Sequence, residues 1–393
     1  MTHPRPITAI AASLCLAACS RSSAPASTTP EPATARSAAG SQGLKDTFRS
    51  AFLVGAALAP RQFGEQDAAS VGLVKREFNT ISPENVLKWA LVHPQPDRYD
   101  FAPSDAYVAF GERNGMFVVG HTLVWHSQVP AWVFQDAQGQ PLSRDALLAR
   151  MKEHIQTVVG RYKGRIKGWD VVNEALNEDG TLRETPWMKI IGPDYIAKAF
   201  EYAHEVDPAA ELYYNDYNLD YASKRDGAVR LVRSLLDRGI PVRAIGSQEH
   251  LKLTTPSAAA VDSSIRAFAA LGVKVNVTEL DIDLLPPATR NTGADVSMRA
   301  GPAPNLNPYA AGLPDSMQQA LARRYEDLLR VYLSNQDAID RITFWRVADG
   351  DSWLNGWPVP GRTSYPLLFD RQLKPKPAYE RVTALVRARS VVP

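Results

Sequence analysis

Trp169-Asp170-Val171-Val172-Asn173-Glu174-Ala175 runs a β-rich apolar stretch straight into a glutamate, and Val275-Asn276-Val277-Thr278-Glu279-Leu280-Asp281 does the same further along the chain. Working outward from these two, β-rich runs recur at 51–59, 78–81, 116–125, 166–173, 211–215, 242–248, 273–279 and 342–347. Between most of them lie helix-like stretches such as 144–162, 194–206, 224–238, 258–270 and 316–334, several with apolar residues three and four apart. Eight strands alternating with helices predict an α/β fold, a (β/α)8 TIM barrel with a single catalytic domain, rather than a doubly wound sheet. No glycine-rich phosphate loop follows the first strand, which argues against a nucleotide-binding fold.

In such a barrel the site lies where the strands end. The second run is followed by Ser82-Pro83-Glu84-Asn85-Val86-Leu87-Lys88-Trp89, and the third closes on Gly120-His121-Thr122-Leu123-Val124-Trp125-His126. Later ends supply Asn173-Glu174, Tyr214-Asn215-Asp216-Tyr217-Asn218, Ser247-Gln248-Glu249-His250, Glu279-Leu280-Asp281, and Trp345 with Asp349-Gly350-Asp351-Ser352-Trp353. Polar groups converging with tryptophan suit a carbohydrate: indole faces stack on sugar rings, while amides, imidazoles and an ammonium bind hydroxyls. Cleaving an acetal requires one group to protonate the departing oxygen and another to trap the positive charge at the anomeric carbon. Two carboxyls whose proton affinities are tuned apart can do both. Glu174 and Glu279 are the candidates; Asn-Glu alone is weak evidence, since it recurs at Asn177-Glu178.

The chain has 393 residues, 45% of them hydrophobic, enough for one large core, and its net charge of +2 is too small to suggest a nucleic-acid partner. The front end differs. An apolar run from Ile7 to Ala18 after Thr2-His3-Pro4-Arg5 is too short to span a bilayer and ends in small residues, so 1–19 reads as a signal peptide. Leu16-Ala17-Ala18-Cys19 resembles the bacterial lipobox, which would make Cys19 the lipidated first residue of the mature protein; an ordinary secretory signal cut near Ala18 is the alternative. Cys15 and Cys19 are the only cysteines, so the mature domain has no thiol for a disulfide, a nucleophile or a zinc site. Residues 20–42, rich in Ser, Ala and Pro, read as a flexible linker, and 43–390 as the barrel. The serine after the cysteine resembles lipoprotein sorting patterns that direct a bacterial protein to the outer membrane, on its periplasmic or surface face.

The motifs from Gly120 to Pro130, from Trp169 to Gly180, Thr278-Glu279-Leu280-Asp281, and Thr343-Phe344-Trp345 with Asp349-Gly350-Asp351-Ser352-Trp353-Leu354 resemble glycoside hydrolase family 10, the endo-β-1,4-xylanases, in order over about residues 45–388. The resemblance implies a retaining enzyme with Glu174 as acid/base and Glu279 as nucleophile. It places Glu84, Asn85 and Lys88 around the sugar two positions to the non-reducing side of the cut. His121, Trp125, Asn173, Gln248, His250, Trp345 and Trp353 would surround the sugar being cleaved, with His250 bonded to the nucleophile; Tyr217 joins them as a substrate-binding candidate. The implied partners are xylan and xylo-oligosaccharides, with no cofactor and no metal. The protein is expected to be a monomer that meets a membrane only through its lipid anchor.

Arg346 departs from the glycine common in the family at that point, and the 286–314 connection is longer than a minimal one. Trp132, Trp169 and Trp187 read as packing residues, His154 and His204 as surface or satisfied core histidines, and Asp281 and Asp283 as loop braces or partners of the histidines. Other readings stay open: a β-1,4-glucanase on the same barrel, a non-catalytic sugar-binding barrel, and a metal-dependent barrel enzyme using His121, His126, His250, Glu279 and Asp281 as ligands.

Overall fold

Parallel strands follow one another as β1 (Leu53–Leu58), β2 (Thr80–Pro83), β3 (Phe117–Val124), β4 (Gly168–Asn173), β5 (Glu211–Asp216), β6 (Ala244–Ser247), β7 (Lys274–Asp283) and β8 (Ile339–Phe344). Each pairs with the next, Ala244 of β6 lying opposite Lys274 of β7, and the sheet closes where Ile342 of β8 faces Val54 of β1. The structure, a computed structural model, describes residues 42–288 and 296–389; the expected signal peptide, Cys19 and all but the last residue of the linker lie outside the described residues. The helices that follow the strands in turn are α1 (Ala68–Glu77), α2 (Ala102–Arg113), α3 (Arg144–Arg161), α4 (Tyr195–Val206), α5 (Ala222–Asp237), α6 (Ala258–Ala269), α7 (Asp315–Ser334) and α8 (Pro377–Arg389). This is the closed (β/α)8 barrel that the alternation predicts. Among the described residues no helix is long and apolar enough to cross a membrane.

Local chemistry fixes where several elements start. Asp67, Ser143 and Ser257 cap α1, α3 and α6, each side-chain oxygen accepting from the backbone N–H three residues on. Inside the barrel, large rings need bare neighbours: a Cβ at Gly120 would run into the Trp169 indole, and one at Gly168 into the Tyr213 ring. Trp169 and Trp187 are buried and Trp132 is half-buried, all three packed in the core cluster.

Two boundaries differ from the sequence reading in ways that matter for the site. β2 begins at Thr80 rather than at 78, because Phe78 still belongs to the end of α1, donating to the Val74 carbonyl at 3.1 Å with its ring in the core. β7 runs four residues past Glu279, because a short strand, His250–Lys252, lies alongside its extension and sets His250 opposite Asp281 and Lys252 opposite Asp283. Three residues with polar ends carry no readable period, so this strand is invisible to pattern.

Candidate active site

The cavity at the C-terminal ends of the strands is lined by Glu84, Asn85, Lys88, His121, Trp125, Gln128, Asn173, Glu174, Gln248, His250, Glu279, Val296, Trp345 and Trp353. The structure thus gathers every substrate-binding candidate except Tyr217 around the two glutamates.

Glu174 follows the last residue of β4 with a left-handed backbone, φ 58°, while its N–H still donates to the Asn215 carbonyl of β5 at 2.8 Å. A non-glycine residue in that region is strained, and such strain persists only where the surroundings impose it. Its carboxyl is buried, one oxygen accepting from the Trp125 indole N–H at 2.7 Å and the other from the Gln248 amide at 3.0 Å. Burial raises its proton affinity, the negative charges of Asp216 and Glu279 add to the rise, and the two neutral donors do not cancel it.

Glu279 is as buried as Glu174 yet moves the other way. Burial alone would raise its pKa; the hydrogen bond from His250, the electrostatic pull of His121 and His250, and the Asn215 amide outweigh it and hold the carboxyl below its ordinary range. His250 lies between two carboxylates, Nε2 3.2 Å from Glu279 and Nδ1 3.0 Å from Asp281. Desolvation opposes its charge, but Asp281 and Glu279 push its pKa up to about 10, so the ring is an imidazolium across the neutral range. The Trp353 indole donates to the second oxygen of Asp281 at 2.7 Å. Lys252 pairs with Asp283 at 2.6 Å, so of the two aspartates after the nucleophile candidate only Asp281 meets a histidine.

Carboxamides span the gap between the glutamates. Gln248 donates to Glu174 and, at 3.3 Å, to the Asn173 carbonyl oxygen; Asn215 donates to that same oxygen and to Glu279, both at 2.9 Å. Thr278 in turn donates to the Asn215 carbonyl at 2.7 Å, which fixes the direction of the amide. Because Asn173 gives its carbonyl to two donors, its NH2 is left for the cavity that it lines.

Around this centre, Asp170 lies 2.9 Å from His121 Nδ1, and a carboxylate there requires the ring proton on that nitrogen. Trp345 meets the His121 ring edge-on at 5.6 Å, and Trp353 stacks on Trp357 at 4.4 Å. Lys88 donates to Asn85 at 3.0 Å and sits 4.9 Å from the Trp125 ring centre; burial pushes its pKa down while Glu279, Glu84 and Glu174 draw it back. Glu84 accepts from Arg346. Among the described residues, no group of three or more His, Cys, Asp or Glu side chains is placed to hold a metal ion.

Tyr217 is the correction to the expected site. Its ring is buried against the Lys224 ammonium, 3.5 Å from the ring centre, and its hydroxyl accepts from Arg183 at 2.9 Å, so it braces the rim and does not line this cavity. Asn215 and Asp170 escaped the sequence reading as site residues. Their signal is a polar residue inside an apolar barrel strand, Asn215 in β5 and Asp170 in β4, where an unsatisfied side chain would be costly. Gln128 and Val296 reach the cavity from loops, where no period exists to flag them; Val296 belongs to the long 286–314 connection, of which 289–295 lie outside the described residues.

A parallel barrel that presents two glutamates of opposed proton affinity in a cleft edged by tryptophan and amide donors is a glycoside hydrolase. Residues 43–385 match the family model described as glycosyl hydrolase family 10, and the chain belongs to that family. It is 45% identical to an endo-1,4-beta-xylanase A of Xylanibacter ruminicola over 87% of this chain and 93% of that protein. It is 42% identical to a beta-1,4-xylanase of Dictyoglomus thermophilum over 86% of this chain and 89% of that one. Among solved structures it is similar to a GH10 endoxylanase retrieved from a sugarcane soil metagenome, with TM-score 0.85 and 46% identity over 87% of this chain and all 100% of that one.

Proposed function

We propose that the protein is a retaining endo-β-1,4-xylanase that hydrolyses internal bonds of xylan and xylo-oligosaccharides by double displacement, with Glu174 as acid/base and Glu279 as nucleophile. The single observation that carries the roles is the opposed tuning of two equally buried glutamates: one is held protonated by burial beside Asp216, the other ionised by the His250 imidazolium. In the first step a Glu279 oxygen attacks the anomeric carbon, the glycosidic C–O bond breaks, and Glu174 gives its proton to the leaving oxygen. In the second, Glu174, now a carboxylate, takes a proton from water, whose oxygen attacks the anomeric carbon and releases Glu279. Asn173 offers its NH2 to the sugar 2-hydroxyl, a contact that strengthens in the oxocarbenium-like transition state.

Xylan is favoured over cellulose by the crowding of Glu84, Lys88 and Trp353 around one end of the cavity, where the hydroxymethyl of glucose would clash or leave a polar group unpaired. Product analysis tests this reading. Early NMR time points on xylo-oligosaccharides should show the β-anomer first, and xylan should be cleaved well over an order of magnitude faster than carboxymethylcellulose. Release of α-anomer would refute double displacement, and equal rates on the two polymers would favour the glucanase.

The same chain is proposed to be exported and anchored through lipid on Cys19 in the outer membrane, the linker holding the barrel clear of the surface. Radiolabelled fatty acid should appear on the wild-type protein and not on Cys19→Ser, with the kinetics of the two unchanged. Its absence from the wild type would leave an ordinary secretory signal.

A further inference from the structure

Trp345 lines the cavity, and the residue after it turns back sharply: Arg346 has φ 132° and donates its N–H to the Phe344 carbonyl at 2.9 Å. Glycine meets such a turn without steric cost, whereas an L side chain there is strained, and strain retained beside a cleft is a reason to ask what the side chain does. The Arg346 guanidinium crosses to Glu84 and donates through Nη2 to Oε1. Both side chains are largely withdrawn from solvent, at 13% and 16% exposure, so the pair is not a screened surface contact. The acid next to it is already taken: Asp351 is bound by Arg61 and accepts from Gln62 at 3.0 Å. Among the described residues, Glu84 is therefore the carboxylate that answers Arg346.

We infer that Arg346 is a positioning residue: by holding one oxygen of Glu84 it fixes the other toward the cavity, where it accepts from a hydroxyl of the sugar bound two places to the non-reducing side of the cut. This rests on the reading that Glu84, Asn85 and Lys88 hold that sugar. A carboxylate on a freely rotating stem would have to be ordered by the substrate itself, and that cost falls on binding. Pinning Glu84 in advance removes it, and only for substrates long enough to reach Glu84.

The test compares an aryl β-xylobioside, which reaches Glu84, with an aryl β-xyloside, which occupies only the position of the cleaved sugar. Arg346→Gly suits the backbone and should fold. It should lower kcat/KM on the xylobioside about ten-fold, mainly through KM, as loss of a hydrogen bond to a charged group does, and leave the xyloside unchanged. Arg346→Lys should fall between wild type and Arg346→Gly, because an ammonium restores the charge without the planar fork. In the Glu84→Gln background, Arg346→Gly should add no further loss. The inference is overturned if Arg346→Gly leaves the xylobioside unaffected, slows both substrates equally, or adds its full loss on top of Glu84→Gln. If Glu84→Gln itself changes neither substrate, the underlying reading of the sugar site fails first.

Discussion

The rims of β4 and β7 carry the same side chain at the same depth, and the two protein environments drive it in opposite directions. Glu174 is met by neutral donors, Trp125 and Gln248, and by the negative field of Asp216. Glu279 is met by a cation, His250, and by a neutral amide, Asn215. Burial favours the neutral form of both, so depth does not sort them; the sign of the neighbouring charge does. Nor does either rim act alone, since Glu279 is one of the charges that keep Glu174 protonated, and once glycosylated it stops being one.

The sharpest way to break this comparison is to remove each carboxyl in turn. Glu279→Ala should abolish hydrolysis, and azide should restore turnover of an activated aryl β-xyloside with inverted, α-configured azide as product. Glu174→Ala should cut xylan hydrolysis by roughly 10²–10⁴-fold, the usual share of general acid–base catalysis, while sparing the glycosylation step with leaving groups that need no proton. Equal slowing of good and poor leaving groups would reverse the assignment.

A smaller effect should follow from editing the charges rather than the carboxyls. The acidic limb of the kcat/KM profile belongs to Glu279, which must be ionised, and the basic limb to Glu174, which must be protonated. His250 lowers the Glu279 pKa, so His250→Asn should move the acidic limb to higher pH. An acidic limb that stays in place would show that the imidazolium is not what keeps Glu279 ionised. Asp216 raises the Glu174 pKa, so Asp216→Asn should move the basic limb to lower pH by less than one unit, as a field acting beside a larger burial effect would. Because Asp216 also pairs with the buried Lys224 at 3.0 Å, this variant should melt earlier as well, and the profile is best taken well below its Tm.

The smallest expected effect concerns the loop that enters the cavity at Val296. Replacing 291–305 by a few small residues should spare turnover of an aryl xylobioside and alter the relative rates on long or decorated xylans, since such a border touches substrate beyond the bond being cut. Loss on the xylobioside too would mean that the loop supports the nucleophile rim.

How much of this was legible in the sequence follows from period. Strands that end in Asn173-Glu174 and Thr278-Glu279 announce themselves, because an apolar run stops at a carboxylate and a closed barrel turns every such stop to the same face. Tryptophans at strand ends are readable for the same reason. Contacts between distant rims are not: nothing local says that Arg346 will reach Glu84, that Asn215 will hold Glu279, or that Tyr217 will turn to Arg183 and away from the cavity. The strand His250–Lys252 was hidden because three residues carry no period, yet it is what sets His250 opposite Asp281.

The carboxamide chain between the glutamates has one more consequence. From Glu174 through Gln248, Asn173 and Asn215 to Glu279, every hydrogen bond is donated by an amide nitrogen. Amides neither release nor take up protons near neutrality. The chain is therefore an insulator where hydroxyls or water would have made a proton wire. A proton on Glu174 has no relay along it to Glu279, and the two carboxyls keep distinct charge states while sharing one scaffold. Each turnover must route its proton outward, through the leaving oxygen and then the incoming water.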